Sequence, residues 1–182
     1  MFIAQQKWKE NIAEYILYMW QIEDIIRAYN LSVDAIHSDI IAKSNRSSNE
    51  KRQEFEWYES LVEMMRTENV RQKGHIQLVK NTLNDLIDLH YALLRSPKHA
   101  DYGALFYHTL PVISALKTHT SDNETEDIEA CFIFLYGVWM LRLKKEDISP
   151  ETLDSQQQIS KLLALLSAKY RLYITNELEL DD

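Results

Sequence analysis

Three glycines and three prolines are all that the 182 residues contain, where average usage gives roughly 13 and 9. A chain so short of turn-formers cannot be built from many tight turns, and it predicts long helices with short connections. The single cysteine, Cys131, excludes an intramolecular disulfide. In its apolar run it reads as a small buried hydrophobe. Long apolar runs are missing as well. The longest, "ACFIFLYGVWML" at 130–141, has 12 residues, too few to span a bilayer and typical of a core helix. "MFIAQQKWKENIAEY" lacks a basic start followed by a continuous apolar segment, so it does not read as a signal peptide, and the expected location is the cytoplasm.

Positive charge is also in short supply. Lys plus Arg number 20 against 28 for Asp plus Glu, for a net charge of −8. That argues against nucleic acid as the partner, since neutralising phosphates supplies most non-specific affinity. The longest basic stretch is "RLKK" at 142–145.

What is present is helical periodicity in nearly every window, with apolar residues at steps of three and four and no sustained two-residue alternation. A first helix is predicted over about 4–29, and "NLS" at 30–32 breaks it. Ser32 caps a shorter helix to about Lys43. The polar stretch "KSNRSSNE" at 43–50 is a loop, in which Ser47 and Glu50 have capping-box spacing for a third helix. Gly74 can end that helix; alternatively one helix runs through it at a cost of about 1 kcal/mol. Two helices are the preferred reading. The fourth helix ends near Arg95, and Ser96–Pro97 opens a fifth over about 98–119, which Pro111 should bend or split. Ser121 and Glu124 have the spacing of a second capping box. A sixth helix covers about 124–145, and Ser149–Pro150 starts a last one to about Asn176. "ELELDD" at 177–182 reads as a frayed acidic tail. The fold class is therefore all-α, one domain over 1–182 with six or seven helices. The sixth should be central, because a helix without a polar face has to be enclosed.

Two stretches, "NIAEYILYMWQIEDIIRAYN" at 11–30 and "LYGVWMLRLKKEDISPET" at 135–152, resemble an uncharacterised family of all-helical bacterial proteins known as a domain of unknown function. The resemblance extends over essentially the whole chain. It implies an all-α cytoplasmic protein and carries over no activity and no site residues.

The first helix poses a chemical question. On a 100° wheel with Ile12 at zero, Met19 falls at about 340° and Ile26 at about 320°. Glu23 falls at about 20° and Arg27 at about 60°, beside Ile16 and Trp20. An acid and a base thus project from the greasy face, in the favourable i, i+4 order. By the same reckoning His90 lies among Val79, Leu83, Leu86 and Ile87, and Arg142 in line with Ile128, Cys131 and Leu135. Glu23, Arg27, His90 and Arg142 form a candidate inward-facing polar cluster. Two arginines and a histidine would suit a carboxylate or phosphate. Against this stands a plain structural role, since paired charges at a core margin often only mimic a site.

Metal and nucleophile chemistry find little support. The six histidines, at 37, 75, 90, 99, 108 and 119, include no pair three or four apart. Glu-x-x-His, the helical di-iron motif, is absent. Asp34 with His37 reads as solvated surface. There is no G-x-S-x-G and no glycine-rich phosphate loop. No catalytic residue, cofactor or metal is assigned. The tryptophans at 20, 57 and 139 read as core or interface packing and Trp8 as an edge residue. The leading functional expectation is a non-enzymatic cytoplasmic protein working through protein contacts or homo-oligomerisation, with no nucleic acid or membrane partner. The alternative is a small anionic ligand-binding or enzymatic pocket between the first, fourth and sixth helices.

Overall fold

A computed structural model describes residues 1–118 and 125–180. The predicted capping box at Ser121 and Glu124 lies outside the described residues. The all-α expectation holds, with eight α-helices among the described residues.

The count rises because the first predicted helix is broken. It forms α1 (Phe2–Glu10) and α2 (Ile12–Ala28), separated by Asn11, whose Oδ1 accepts the Ala13 N–H at 3.1 Å. A short amide side chain that bonds its own backbone competes with the helix and restarts it. After α2 the chain turns through Asn30 and Leu31 in left-handed conformation (φ 52° and 60°). Ser32 then caps α3 (Val33–Ile36), its hydroxyl accepting from the Ala35 N–H at 3.3 Å. The predicted continuation to Lys43 takes a different form: residues 37–41 widen into a π turn, in which Ala42 N–H donates to the His37 carbonyl at 2.8 Å.

The capping box is present. Ser47 Oγ accepts from the Glu50 N–H at 3.3 Å and Glu50 Oε2 accepts from the Ser47 N–H at 2.9 Å, opening α4 (Ser48–Thr67). The helix does not run through to α5 (Gln77–Arg95). It stops before Asn69 (φ 58°), five residues ahead of Gly74, which sits inside the connecting loop at φ 84°. Asparagine tolerates the left-handed cap here, so glycine is not what ends the helix.

Pro97 opens a 3₁₀ turn to His99, and α6 (Ala100–Thr118) follows. Pro111 does not split α6. Pro111 and Tyr107 are both exposed, so the carbonyl that loses its N–H partner can be solvated. α7 (Asp127–Leu143) ends at Lys144, and Ser149 caps α8 (Pro150–Ile174) by accepting from the Thr152 N–H at 3.2 Å. Past α8 the expected frayed tail carries bonds. The Glu179 carbonyl accepts from His99 Nε2 at 3.0 Å and its carboxylate from Lys98 Nζ at 3.4 Å.

Packing groups the chain into two compact units. One comprises Met1–Glu10 with Glu14–Thr82; the other comprises Asn11–Ala13 with the chain from Leu83 onward. In the first unit Ile16, Met19, Ile26, Ile36, Met65 and Ile76 are all but inaccessible. In the second, α6, α7 and α8 contact one another pairwise and bury Tyr102, Ile113, Phe132, Ile159 and Leu166. α7 is the apolar helix expected at the centre, yet it is enclosed along one flank. Ile128, Ala130, Cys131, Phe132 and Val138 are buried, whereas Ile133 is 42% and Leu141 39% exposed. Among the described residues no helix is long and apolar enough to cross a membrane.

Ser47→Ala removes one half of a reciprocal cap on the longest helix of the first unit. It should lower unfolding free energy by about 1 kcal/mol, read as a lower urea midpoint at unchanged slope.

Candidate functional site

α2 points Glu23 into the first unit, where the residue is 0% exposed. A carboxylate there needs donors. It receives two, both from the segment that leads into α5. Ile76 N–H donates to Oε1 at 2.8 Å and His75 Nδ1 donates to Oε2 at 2.5 Å. The His75 ring stacks on Trp20, with centroids 4.3 Å apart and planes at 12°. The imidazole is thus held from two sides, its Nδ1 proton committed to the acid. The His75 side chain keeps 32% of its exposure.

Arg27, one turn on, does not pair with Glu23. Its Nη1 donates to Asp24 at 2.8 Å and its Nη2 to the Val70 carbonyl at 3.2 Å and to the Gly74 carbonyl. Glu23 and Arg27 therefore act on one target, the α4–α5 connection. The acid takes the loop's N–H and imidazole; the guanidinium takes its carbonyls. Glu68 adds a third tie by accepting the Gln77 N–H at 2.5 Å.

His90 is buried at 1% exposure, its Nδ1 2.6 Å from the Tyr102 hydroxyl and its ring edge-on to Phe106 at 4.7 Å. Burial lowers its pKa from 6.5 to about 4, against the opposing charges of Asp127 and Glu126. It is a neutral core histidine at pH 7. Arg142 departs from the inward placement expected of it. The residue is exposed, and its Nη2 donates to Gln156 Oε1 at 2.6 Å. Within the second unit His90 and Arg142 are not neighbours in any polar contact, and the partners of Glu23 and Arg27 all belong to the first.

Two further groups bear on chemistry. Cys131 is 0% exposed, and burial, then the charge of Asp127, pushes its thiol up to about 12. It is therefore protonated and no nucleophile at neutral pH. No group of three or more His, Cys, Asp or Glu among the described residues could hold a metal ion. The carboxylate–imidazole pair resembles the orienting half of a general-base device, but no nucleophile bonds to Nε2 among the described residues. Its demonstrable work is to fix a loop. The phase of Glu23 was the available signal for it. His75, off the apolar stripe, gave none.

The family model described as a domain of unknown function, DUF4924, matches residues 1–177. The chain belongs to that family. Comparison with curated proteins and with solved structures gives no match.

Two outcomes check this account. Glu23→Ala leaves the Ile76 N–H and His75 without their acceptor and should cost about 3 kcal/mol, with Trp20 fluorescence altered in the folded state; Glu23→Gln should cost less. For His90 the folded pKa lies below the unfolded value, so the unfolded state binds the extra proton. The neutral ring's contribution is complete above pH 6.5 and is lost as pH falls toward 4, amounting to at most about 3 kcal/mol. Denaturation curves across that window should slope for the wild type and be flatter for His90→Phe.

Proposed function

We propose that this chain is a non-enzymatic cytoplasmic protein, bacterial as its family resemblance suggests, that works through protein contacts and in the first place pairs with a second copy of itself through α7. The observation that carries the reading is the open flank of that helix. Soluble proteins seldom leave a contiguous apolar strip to water without a use for it.

The strip has an order that suits self-pairing. Glu129, Ile133, Gly137 and Leu141 follow at intervals of four residues along the helix, one i±4 ridge, and Lys145 lies just past its end in left-handed conformation (φ 58°). Ile133 and Leu141 are exposed at 42% and 39%. At Gly137 a Cβ would meet nothing within 4 Å, so a second helix can approach closely there. The ridge reads acid, apolar, glycine, apolar, base. A two-fold axis at Gly137 with the helices antiparallel sets Ile133 on Leu141 of the other copy and Glu129 on its Lys145. A surface complementary to itself under rotation is what a closed dimer requires.

Sedimentation equilibrium tests the reading. The wild type should be dimeric at micromolar concentration and the Ile133→Asp/Leu141→Asp variant monomeric, with matching circular dichroism. Glu129→Lys alone should weaken the dimer and Glu129→Lys with Lys145→Glu should restore it. A wild type monomeric at hundred-micromolar concentration would remove self-pairing as the role.

A further inference from the structure

From Leu83 onward α5 belongs to the second unit. There it sets Asp85, Asp88 and Leu89 on one face, one turn apart. α8, in the same unit, does likewise with Tyr170, Tyr173 and Ile174. Between the two faces lies a cavity of about 420 Å³, within the range of small-molecule sites. Leu180 adds a wall from the C-terminal segment, which His99 Nε2 anchors by donating to the Glu179 carbonyl at 3.0 Å.

The charged groups of this cavity are all of one sign. Asp85 and Asp88 stand exposed on its rim, and no Lys, Arg or His lines it. Neither carboxylate forms an ion pair among the described residues. Like charges one turn apart repel, and desolvation, then the charge of Asp88, raises the Asp85 pKa. No third ligating side chain joins them to make a metal site among the described residues. The other feature is aromatic. The Tyr170 and Tyr173 rings lie with centroids 6.5 Å apart and planes at 43°. Tyr170 is 4% exposed, and its hydroxyl has no hydrogen-bond partner among the described residues. Burial, then the charge of Asp85, raises the Tyr170 pKa, so the phenol stays neutral and lies close to that carboxylate.

We infer that this cavity is a binding site for a small amine with an apolar body, whose ammonium group meets Asp85 and Asp88 beside the Tyr170 and Tyr173 rings while its hydrocarbon part covers Leu89 and Leu180. The lining selects the class. Two carboxylates with no base among them repel an anion and form charge-assisted hydrogen bonds with an ammonium. Tyrosine faces attract a cation within about 6 Å of the ring centroid, and the Tyr170 oxygen can accept one of its N–H bonds. A hydrated inorganic ion would leave the apolar walls uncovered, whereas an alkyl or aryl body buries them. The inference is independent of pairing through α7.

Titration calorimetry of the full chain at pH 7 tests it with three probes of one shape and different charge: phenethylammonium, 2-phenylethanol and 3-phenylpropanoate. One saturable site for the ammonium is expected, with the alcohol about tenfold weaker and the acid weaker still. Asp85→Asn/Asp88→Asn changes two exposed side chains and should keep the wild-type circular dichroism. It should bring the ammonium down to the affinity of the alcohol and leave the alcohol unchanged. Tyr173→Ala should weaken the ammonium more than the alcohol. The Ile133→Asp/Leu141→Asp protein should bind the ammonium as the wild type does, whatever its oligomeric state. Absence of saturable binding at millimolar phenethylammonium would overturn the inference. So would equal affinities for the ammonium and the alcohol, or an Asp85→Asn/Asp88→Asn protein that binds the ammonium as tightly as the wild type.

Discussion

A carboxylate that water cannot reach dictates the arrangement of everything near it. Glu23 is such a group, and its two oxygens are met by the backbone of Ile76 and the ring of His75. Those two donors come from the connection between α4 and α5, so satisfying the acid and placing the loop are one event. Arg27 completes the arrangement by meeting the loop's carbonyls at Val70 and Gly74. The nine-residue connection buries both of its apolar side chains, Val70 and Ile76. Polar groups sent from a helix add to that burial, and leaving either oxygen unmet would cost more than the bond contributes. The start of α5, and with it Val79 and the adjoining core, follows from that geometry.

The helices were legible because their signals are local. Ser32, Ser47 with Glu50, and Ser149 with Pro150 start helices where the spacing of cap and first turn says they should. The direction in which Glu23 points was legible too, since helical phase is arithmetic. Its partner was not. Phase says which way a side chain faces and nothing about what arrives from elsewhere in the chain, and the nearest base, Arg27, was the wrong one. His75 lies off the apolar stripe that runs on past Gly74 through Ile76 and Val79, so phase did not single it out. Asn11 shows a different limit. A side chain that bonds its own backbone can restart a helix inside an unbroken apolar rhythm, and the rhythm conceals it. Arg142 fails for a third reason: a long side chain on an apolar line can still lie at the surface when that part of the helix is open.

α7 illustrates how composition and packing divide the work. An apolar helix must be covered, and composition says only that. α6 and α8 cover one flank, with Phe132 and Ile128 at no measurable exposure, and the other flank is left with a glycine between two aliphatic side chains. The chain thus keeps a buried polar anchor in one unit and an uncovered ridge in the other.

Cys131 lies on the covered flank of that same helix, sealed at 0% exposure with its thiol held in the protonated form. A sulfur in that position cannot be alkylated until the α6–α7–α8 packing opens. Its rate of labelling is therefore a clock for the opening of one unit alone, built in by the scarcity of cysteine with which the sequence began: with no second thiol to confuse the signal, the chain carries its own stopwatch.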